Sequence, residues 1–576
     1  MRLILHYVGR YKALVLLNIL SVFGFALAEL GIPTVVADMI DTGVANADRG
    51  YLLRMGGVIA LISVVGVAGT ILLGFCCAKI STSVTRDIRR DIFDKVQTFS
   101  PAEFHKFGIS SLITRTNNDA FQIQLFVNVL LRTALLTPVM LVVSFALTIR
   151  TSVALSLIIL ATIPLIVIGV VLVAKISGPI SEKQQASLDA LNRISRENLS
   201  GIRVIRAFNN DDHERARFAE TNATYTALSK RLFKLMSVTQ PIFFFLMNLA
   251  ALAIFWVAAT LISSSQMQVG QLVAFMDYLF HAMFSFMLFC LVFMMYPRAQ
   301  VSSKRIAAVL ESEGGIPEKE NGLIPEGAVG SLAFEHVTFV YPDGEEPVLR
   351  DVSFEARAGQ TVAFIGSTGS GKSTLVQLLP RFYDVTEGRI TLDGRDIRDY
   401  DLRALRGVLG FIPQKATLFS GTIGDNLRHG KPDATEKELM DAARDAQALD
   451  FIEEKGGFDQ PVTEGGTNLS GGQKQRLCIA RALVRRAPVY VFDDSFSALD
   501  FETDARLRRA LKERTREAIV LIVAQRVSSI MDADRILVLD EGRVVGAGRH
   551  RELLQTCPVY REIAASQLSE AELNPA

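Results

Sequence analysis

Long apolar segments alternate with charged segments over residues 1–300 of the chain. A helix rises about 1.5 Å per residue, so about 20 apolar residues span the hydrocarbon core of a bilayer. Between Arg54 and Lys79 no charged residue occurs, and the same holds between Arg150 and Lys175. Six segments of this kind favour a membrane domain over the buried helices of a soluble protein. They predict membrane helices at approximately 13–37, 55–78, 125–149, 152–174, 240–262 and 271–296.

Lysine and arginine are unevenly divided between the two sides of this predicted domain. The connections at 79–119 and 175–234 contain seven and eleven of them, whereas the connections on the other side contain two, one and none. Because positive connections stay in the cytoplasm, we expect both long connections and both termini on the cytoplasmic side. The long connections are amphipathic, as in Val84–Val96, which predicts helices that continue out of the bilayer.

A few ionisable residues lie inside the predicted membrane helices. Glu29 falls in the first helix, and Asp277 and His281 fall four residues apart on the sixth, where they share a face and could pair. Charged groups are costly in a bilayer, so these three are candidates for a substrate path or for binding a cationic substrate. A purely structural polar contact between helices is the alternative.

The pattern changes after about residue 311, where the last helical segment ends. Residues 313–330 are rich in Gly, Pro and Glu without an apolar period, which predicts a linker. We therefore expect a six-helix membrane domain at 1–312, a linker at 313–329 and a globular domain at 330–576. The formal net charge is +1, which lacks the dense positive surface that nucleic acid requires, so no nucleic-acid partner is expected.

The globular part contains a P-loop pattern, G-x-x-x-x-G-K-[ST], at Gly366–Ser373. It follows a strand-like run, Thr361–Ile365, and opens a helix-like run, Ser373–Leu379, which is the context that such a motif requires. The pattern predicts an ATP site in which Lys372 reaches the β- and γ-phosphates and Ser373 binds Mg²⁺. The predicted ATP-contacting residues of this loop are Gly366, Ser367, Thr368, Gly369, Ser370, Gly371, Lys372, Ser373 and Thr374.

Two further motifs follow. The strand-like run Val489–Phe492 ends in Asp493, the position of a carboxylate that organises Mg²⁺. Between the motifs lies the pentapeptide LSGGQ, in which Ser470 can cap a helix and two glycines leave amides open to an anion. With this signature the chain resembles a subunit of an ATP-binding cassette (ABC) exporter, a half-transporter of the multidrug-resistance-like type IV fold. That resemblance implies six membrane helices with cytoplasmic extensions, followed by an α/β P-loop NTPase domain.

The resemblance also assigns roles to individual residues. Tyr341 matches the aromatic residue that stacks on adenine, Gln414 matches a glutamine that binds Mg²⁺ and senses the membrane domain, and Asp500 lies in the D-loop. Coupling helices are expected near Pro101–Phe107 and Arg206–Asp212. Cassettes of this family pair head to tail, so a second half-transporter chain is required as partner. The residues that would meet the partner's ATP are Leu469, Ser470, Gly471, Gly472 and Gln473.

Two positions depart from the family pattern. Asp494 stands where the catalytic base is normally Glu, and Gln525 stands where the switch residue is normally His. Asp is one methylene shorter, about 1.5 Å of reach, and misplacement by about 1 Å can cost on the order of 10²-fold in rate. Gln cannot become cationic. Together they predict a site that binds ATP and hydrolyses it slowly.

The intact signature beside a weakened site resembles the degenerate chain of heterodimeric bacterial exporters. We therefore expect the signature to complete a fast site on a partner chain, in a bacterial cytoplasmic (inner) membrane. The expected cargo is amphipathic or hydrophobic: drugs, lipids or peptides. A homodimeric exporter with a slow Asp-based site is the first alternative, and an ATP-gated membrane sensor or channel is the second.

Overall fold

The computed structural model describes residues 1–317, 319, 321–325, 329–568 and 573. Within helices, the side chains of residues 170, 174, 290, 291, 293 and 294 also lie outside the description. Parts of the predicted linker and the last residues of the predicted 330–576 domain therefore fall outside the described residues. The chain forms two compact units, Met1–Gln97 with Ser110–Ser312, and Thr98–Ile109 with Glu313–Ala576. The second unit thus includes Thr98–Ile109, whereas the predicted membrane domain, 1–312, contained this segment.

The first unit is entirely helical where it is described. Six of its helical stretches are long and apolar enough to cross a membrane, which confirms the predicted number among the described residues. Three helices of 49, 55 and 53 residues extend well beyond a bilayer's thickness, as the amphipathic connections predicted. The helices up to the boundary are α1 Arg2–Val8, α2 Lys12–Asp38, α3 Arg49–Gln97, α4 Pro101–Phe107 (in the second unit), α5 Ile109–Thr114, α6 Ala120–Val129, α7 Leu135–Thr151, α8 Val153–Ala207, α9 Asp211–Ser263 and α10 Val269–Leu310.

The third membrane stretch is interrupted by π-helical turns. Arg115–Asp119 separates α5 from α6, and Leu130–Ala134 separates α6 from α7. A π-turn has i→i+5 hydrogen bonds and contains one residue more than an α-helical turn. In the second π-turn, the Leu131 carbonyl accepts a hydrogen bond of 3.0 Å from the side-chain amide of Asn18 on α2. A buried polar contact therefore joins α2 to the third membrane stretch.

The two expected coupling helices turn out differently. At the first position a short helix is present, α4, while its coupling role stays a prediction. Helix α4 begins with a capping box in which Ser100 accepts from Ala102 N–H and the Glu103 carboxylate accepts from Ser100 N–H. The second expectation was wrong: at 208–210 the chain makes only a tight turn between α8 and α9. Asn209 takes a left-handed conformation, φ +51°, and Phe208 is 80 % exposed at the turn. The long helices on both sides leave no residues for a separate helix.

The second unit contains two main sheets. One is antiparallel, in the order β2-β1-β4-β5; the other has the order β12-β11-β3-β10-β9-β6 and is parallel except for β12. The strands are β1 Ser331–Phe339, β2 Leu349–Arg357, β3 Thr361–Gly366, β4 Glu387–Leu392, β5 Arg395–Asp396, β6 Leu409–Ile412, β7 Gly421–Thr422, β8 Pro461–Val462, β9 Val489–Asp493, β10 Ile519–Val523, β11 Arg535–Asp540 and β12 Arg543–Gly548.

Nine helices of the second unit follow α4 among the described residues. They are α11 Lys372–Leu378, α12 Leu402–Gly407, α13 Ile423–Arg428, α14 Glu436–Asp445, α15 Leu449–Glu454, α16 Gly471–Val484, α17 Phe501–Arg514, α18 His550–Thr556 and α19 Pro558–Ala565. The strands β3, β9 and β10 are almost wholly buried, as expected for parallel strands covered on both faces. The strand-like runs at 361–365 and 489–492 are confirmed.

The order of the parallel strands decides where the motifs meet. Strand β10 lies between β3 and β9, and β6 lies beyond β9. Val523 at the end of β10 is in register with Phe364 of β3 and Asp493 of β9. Because parallel strands end at one edge, the four loops that follow them emerge side by side, which is where open α/β sheets bind ligands. Those loops carry the P-loop, Asp494, Gln525 and Gln414.

Candidate functional site

The P-loop joins β3 directly to α11. Gly371 caps the helix with φ +92°, a backbone conformation that residues with a side chain rarely adopt. A Cβ at this position would lie 2.7 Å from Leu349 Cδ2 and 2.9 Å from Val348 O, so only glycine fits. The tip, Ser367–Gly369, is exposed. Main-chain amides at the start of α11 and the helix dipole together make this edge an anion-binding site.

Lys372 is buried at the neck of this loop, 8 % exposed. Its ammonium donates to Gly366 O at 2.9 Å, Ser367 O at 2.6 Å and Ser370 Oγ at 3.2 Å. Burial lowers the pKa of Lys372, while the nearby carboxylates of Asp494 and Asp493 oppose that shift. The ammonium is therefore folded onto the loop that would hold the phosphates.

Ser373 and Asp493 form a pair of oxygen ligands beside the lysine. Ser373 Oγ donates to Asp493 Oδ1 at 2.8 Å, and Asp493 is 2 % exposed at the end of β9. Burial raises the pKa of Asp493, with the hydrogen bond from Ser373 opposing the shift. A hydroxyl and a carboxylate at this spacing are the hard oxygen donors that Mg²⁺ prefers when phosphates supply further ligands, so the residues fit that ion.

Asp494, the base position, follows in a left-handed conformation with φ +47°. Its Oδ2 accepts 2.8 Å from Gln525 Nε2 and 3.5 Å from Gln414 Nε2. The structure thus places the two residues that depart from the family pattern in direct contact. Burial raises the pKa of the Asp494 carboxyl, and the hydrogen bond from Gln414 opposes this shift. The side chains of Gln525 and Gln414 are exposed at the open edge of the sheet.

Tyr341 lies next to the P-loop helix. Its hydroxyl is hydrogen-bonded to Thr374 Oγ1 at 2.9 Å, and its ring packs edge-on against Tyr383 with centroids 5.2 Å apart. Phe339 supports the same ring at 4.9 Å. A partly buried aromatic ring held at the entrance to a phosphate loop is suited to stacking on a planar base.

The signature begins helix α16. Ser470 Oγ accepts from Gln473 N–H, and Gln473 Oε1 accepts from Ser470 N–H, so the predicted cap is present as a full capping box. Gln475, on the same helix, accepts 3.1 Å from Ala498 N–H in the D-loop. Asp500 caps α17 by accepting from Thr503 N–H at 2.9 Å. The link through Gln475 was not predicted, because the signature motif ends before it.

The candidate substrate-path residues of the first unit do not pair as expected. His281 Nε2 lies 3.4 Å from Glu29 Oε2, so the partner of His281 is Glu29 of α2 rather than Asp277 of its own helix. Asp277 is exposed on α10. The i, i+4 spacing on one helix was outweighed by the packing of α2 against α10, which brings Glu29 to the histidine.

Comparisons with known proteins fit this geometry. The family model of the ABC transporter transmembrane region matches residues 15–287, and the family model described as ABC transporter matches residues 349–497. An uncharacterized ABC transporter ATP-binding protein of Mycobacterium tuberculosis is 37 % identical over 572 residues, which is 98 % of each chain. This chain belongs to the ABC transporter family. Members of this family carry an ATP-binding cassette, and the edge of loops at β3, β9 and β10 is the candidate ATP site of this chain.

Other relatives extend the comparison to export. The ATP-dependent lipid A-core flippase of Vibrio parahaemolyticus is 30 % identical over 567 residues, covering 98 % of this chain and 97 % of the flippase. A solved bacterial Atm1-family ABC exporter with ATP bound has a TM-score of 0.78 and 26 % identity, covering 98 % of this chain and 99 % of that one. The ABC transporter described here is an ATP-driven, multi-pass membrane exporter.

Proposed function

We propose that this exporter chain forms one half of a heterodimer in which its own ATP site binds nucleotide and hydrolyses it slowly. The observation that carries the proposal is the 2.8 Å hydrogen bond from Gln525 Nε2 to Asp494 Oδ2. The two unusual residues form one unit in the place where an attacking water must be oriented. Gln525 thus holds the Asp494 carboxylate without supplying the positive charge or the titratable proton of a histidine.

The chemistry of each residue supports a slow site. In-line attack on the γ-phosphate needs a water held within hydrogen-bond reach of a carboxylate. Asp494 reaches about 1.5 Å less far than Glu, and misplacement by about 1 Å can cost on the order of 10²-fold. Gln525 can donate to a phosphate oxygen, but it carries no positive charge and no titratable proton. Mg²⁺, held by Ser373 and Asp493 with Gln414 at hand, would supply charge neutralisation at the phosphates.

The signature supports the other half of the proposal. The capping box at Ser470 and Gln473 keeps the start of α16 ordered, so the amides of Gly471 and Gly472 can meet a phosphate. On a head-to-tail pair of cassettes, this signature would complete a fast site on the partner. ATP binding would close the cassettes and turn the membrane helices outward, and hydrolysis at the partner's site would reopen them.

The proposed cargo is an amphipathic or hydrophobic compound, moved out of the cytoplasm across a bacterial cytoplasmic membrane. The name of the Vibrio relative, a lipid A-core flippase, supports a lipid-like cargo. Glu29, His281 and Asp277 are the proposed polar contacts on the path. The Glu29–His281 pair places a polar contact within apolar helices, where it is retained at a cost in free energy.

The test compares two lesions in the full-length chain, purified alone and with the product of any neighbouring transporter gene. In the pair, Asp494→Asn should leave most ATPase activity, because that activity belongs to the partner's site. Ser470→Ala should lower the pair's activity at least about tenfold, because the signature serves the fast site. Robust turnover by the chain alone, abolished by Asp494→Asn, contradicts the proposal and favours the homodimer.

A further inference from the structure

The C-terminal helix α19 is fixed against the strand that leads into the P-loop. Tyr560 and Ala564 of α19 are fully buried, in one apolar cluster with Ile365 of β3 and Val527. Tyr560 Oη is also hydrogen-bonded to His550 Nδ1 at 2.7 Å, which ties α19 to α18. The end of α19 is therefore held at a defined place beneath the nucleotide edge.

Gln567 lies two residues beyond α19 and bridges two main-chain groups of the loop that follows β10. Its Oε1 accepts from Val527 N–H at 2.8 Å, and its Nε2 donates to Gln525 O at 2.9 Å. One planar amide thus satisfies the backbone on both sides of Arg526. We call residues 524–530 the switch loop, since they carry the switch residue Gln525.

We propose that Gln567 is a positioning residue for ATP hydrolysis: it holds the switch loop so that residue 525 reaches the base position. The same loop delivers Gln525 Nε2 to Asp494 Oδ2 at 2.8 Å. A shift of the peptide at 525 would move that side chain by a similar distance, and about 1 Å of misplacement at a reacting centre can cost on the order of 10²-fold.

Other hydrogen bonds hold the switch loop at residues on either side of 525. Ala524 N–H donates to Phe364 O at 3.1 Å, at the end of the strand, and Arg508 donates to Ser528 O at 2.7 Å, beyond the switch residue. Gln567 contacts the carbonyl of residue 525 itself and the amide two residues later. Both are made to main chain, so they do not depend on whether residue 525 is Gln or His. The inference therefore goes beyond the proposed slow site and holds for either outcome there.

The test uses the full-length chain in lipid nanodiscs, alone and with the neighbouring transporter chain. Photolabelling with 8-azido-ATP carrying label on the α- or the γ-phosphate reports, for each chain separately, nucleotide binding and γ-phosphate loss. We expect Gln567→Ala to slow γ-phosphate loss from this chain about 3- to 10-fold while binding changes less than about twofold. Gln567→Glu keeps the acceptor for Val527 N–H, so its rate of γ-phosphate loss should lie between those of Gln567→Ala and the natural chain. Gln555→Ala, an exposed glutamine of α18, is the matched control.

The assay is run in the natural chain and in the Asp494→Glu, Gln525→His background, and is paired with hydrogen exchange at Val527 N–H. Exchange that is faster in Gln567→Ala than in the control supports the inference. It is overturned if exchange and γ-phosphate loss match the control in both backgrounds, or if binding and thermal stability fall in parallel with hydrolysis. Failure of the proposed function is a separate result: rapid γ-phosphate loss in the natural chain.

Discussion

At the scale of single residues, Asp494 combines an unusual backbone with an unusual partner. Its φ of +47° lies in the left-handed region, which Asp tolerates better than most residues that carry a side chain. Its carboxylate meets the side-chain amides of Gln525 and Gln414. The site therefore retains a buried carboxylate and lacks a residue that can alternate between neutral and cationic forms.

The first prediction concerns this pair. Asp494→Glu together with Gln525→His should raise the rate of hydrolysis at this chain's own site by about tenfold or more, because the carboxylate gains reach and the switch residue gains a proton. Single-turnover loss of labelled γ-phosphate from the photolabelled chain measures it. Asp494→Glu alone should give a smaller gain. An unchanged rate in the double variant would count against the assignment of these positions or against an intact signature on the partner.

At the scale of elements, the third membrane stretch depends on a contact from another helix. In the π-turn Leu130–Ala134, the Leu131 carbonyl accepts from the side-chain amide of Asn18, and Asn18 is fully buried. The Asn18 Oδ1 in turn accepts from Cys77 Sγ at 3.2 Å, so the amide joins α2, α3 and the turn. A polar group without a partner in this apolar setting would be costly, since no water replaces the lost bond.

The second prediction follows from that contact. Asn18→Leu keeps a similar volume and should destabilise the protein by about 1–3 kcal/mol, because it removes two buried hydrogen bonds, one to Leu131 O and one from Cys77 Sγ. Thermal unfolding in detergent or nanodiscs measures the effect as a lower midpoint temperature. Asn248→Leu is the control, because the Asn248 amide is exposed and donates to Phe244 O within its own helix. Equal midpoints for Asn18→Leu and the natural chain would rule out a stabilising role.

The turn at 208–210 shows where element-level prediction fails. Resemblance to the family placed a short helix near Arg206–Asp212, but α8 and α9 continue to within a few residues of each other. The two helices pack side by side, with Gln184 Nε2 donating to Ser229 Oγ at 2.8 Å. The number of residues left for the turn depends on how far the two long helices pair. No local sequence motif indicates that number.

At the scale of the whole molecule, the distribution of lysine and arginine determines the expected orientation. The connections at 79–119 and 175–234 hold seven and eleven of these residues, which places them in the cytoplasm by the positive-inside rule. Asn46, in the turn after α2, and Phe208, between α8 and α9, would then face opposite sides of the membrane. Both residues are exposed.

The third prediction tests that orientation. In intact cells, a membrane-impermeant maleimide should label Asn46→Cys directly, whereas Phe208→Cys should be labelled only after permeabilisation. The natural chain is the control for background, and its described cysteines, Cys76, Cys77, Cys478 and Cys557, are buried. Labelling of Phe208→Cys in intact cells would reverse the predicted topology.

Much of the nucleotide site could be predicted from the sequence, because its motifs are local. The P-loop needs glycine where the backbone turns left-handed at Gly371, and the Ser470 cap needs only the next three residues. The sequence pattern predicted the strand before and the helix after the P-loop, the strand before Asp493 and the helix that Ser470 caps. The convergence of Asp494 and Gln525 was expected only through resemblance to the family; its geometric cause is the position of β10 between β3 and β9.

The sequence by itself determined six membrane helices, the ATP motifs and the two departures at Asp494 and Gln525. These features depend only on hydropathy, spacing and residue identity, which are local properties of the sequence. Only the tertiary structure decided which distant side chains meet. His281 pairs with Glu29, more than 250 residues away in sequence, and Gln567, after α19, is hydrogen-bonded to the main chain of Gln525 and Val527. Such contacts depend on how whole helices and strands pack, and packing leaves no short-range pattern.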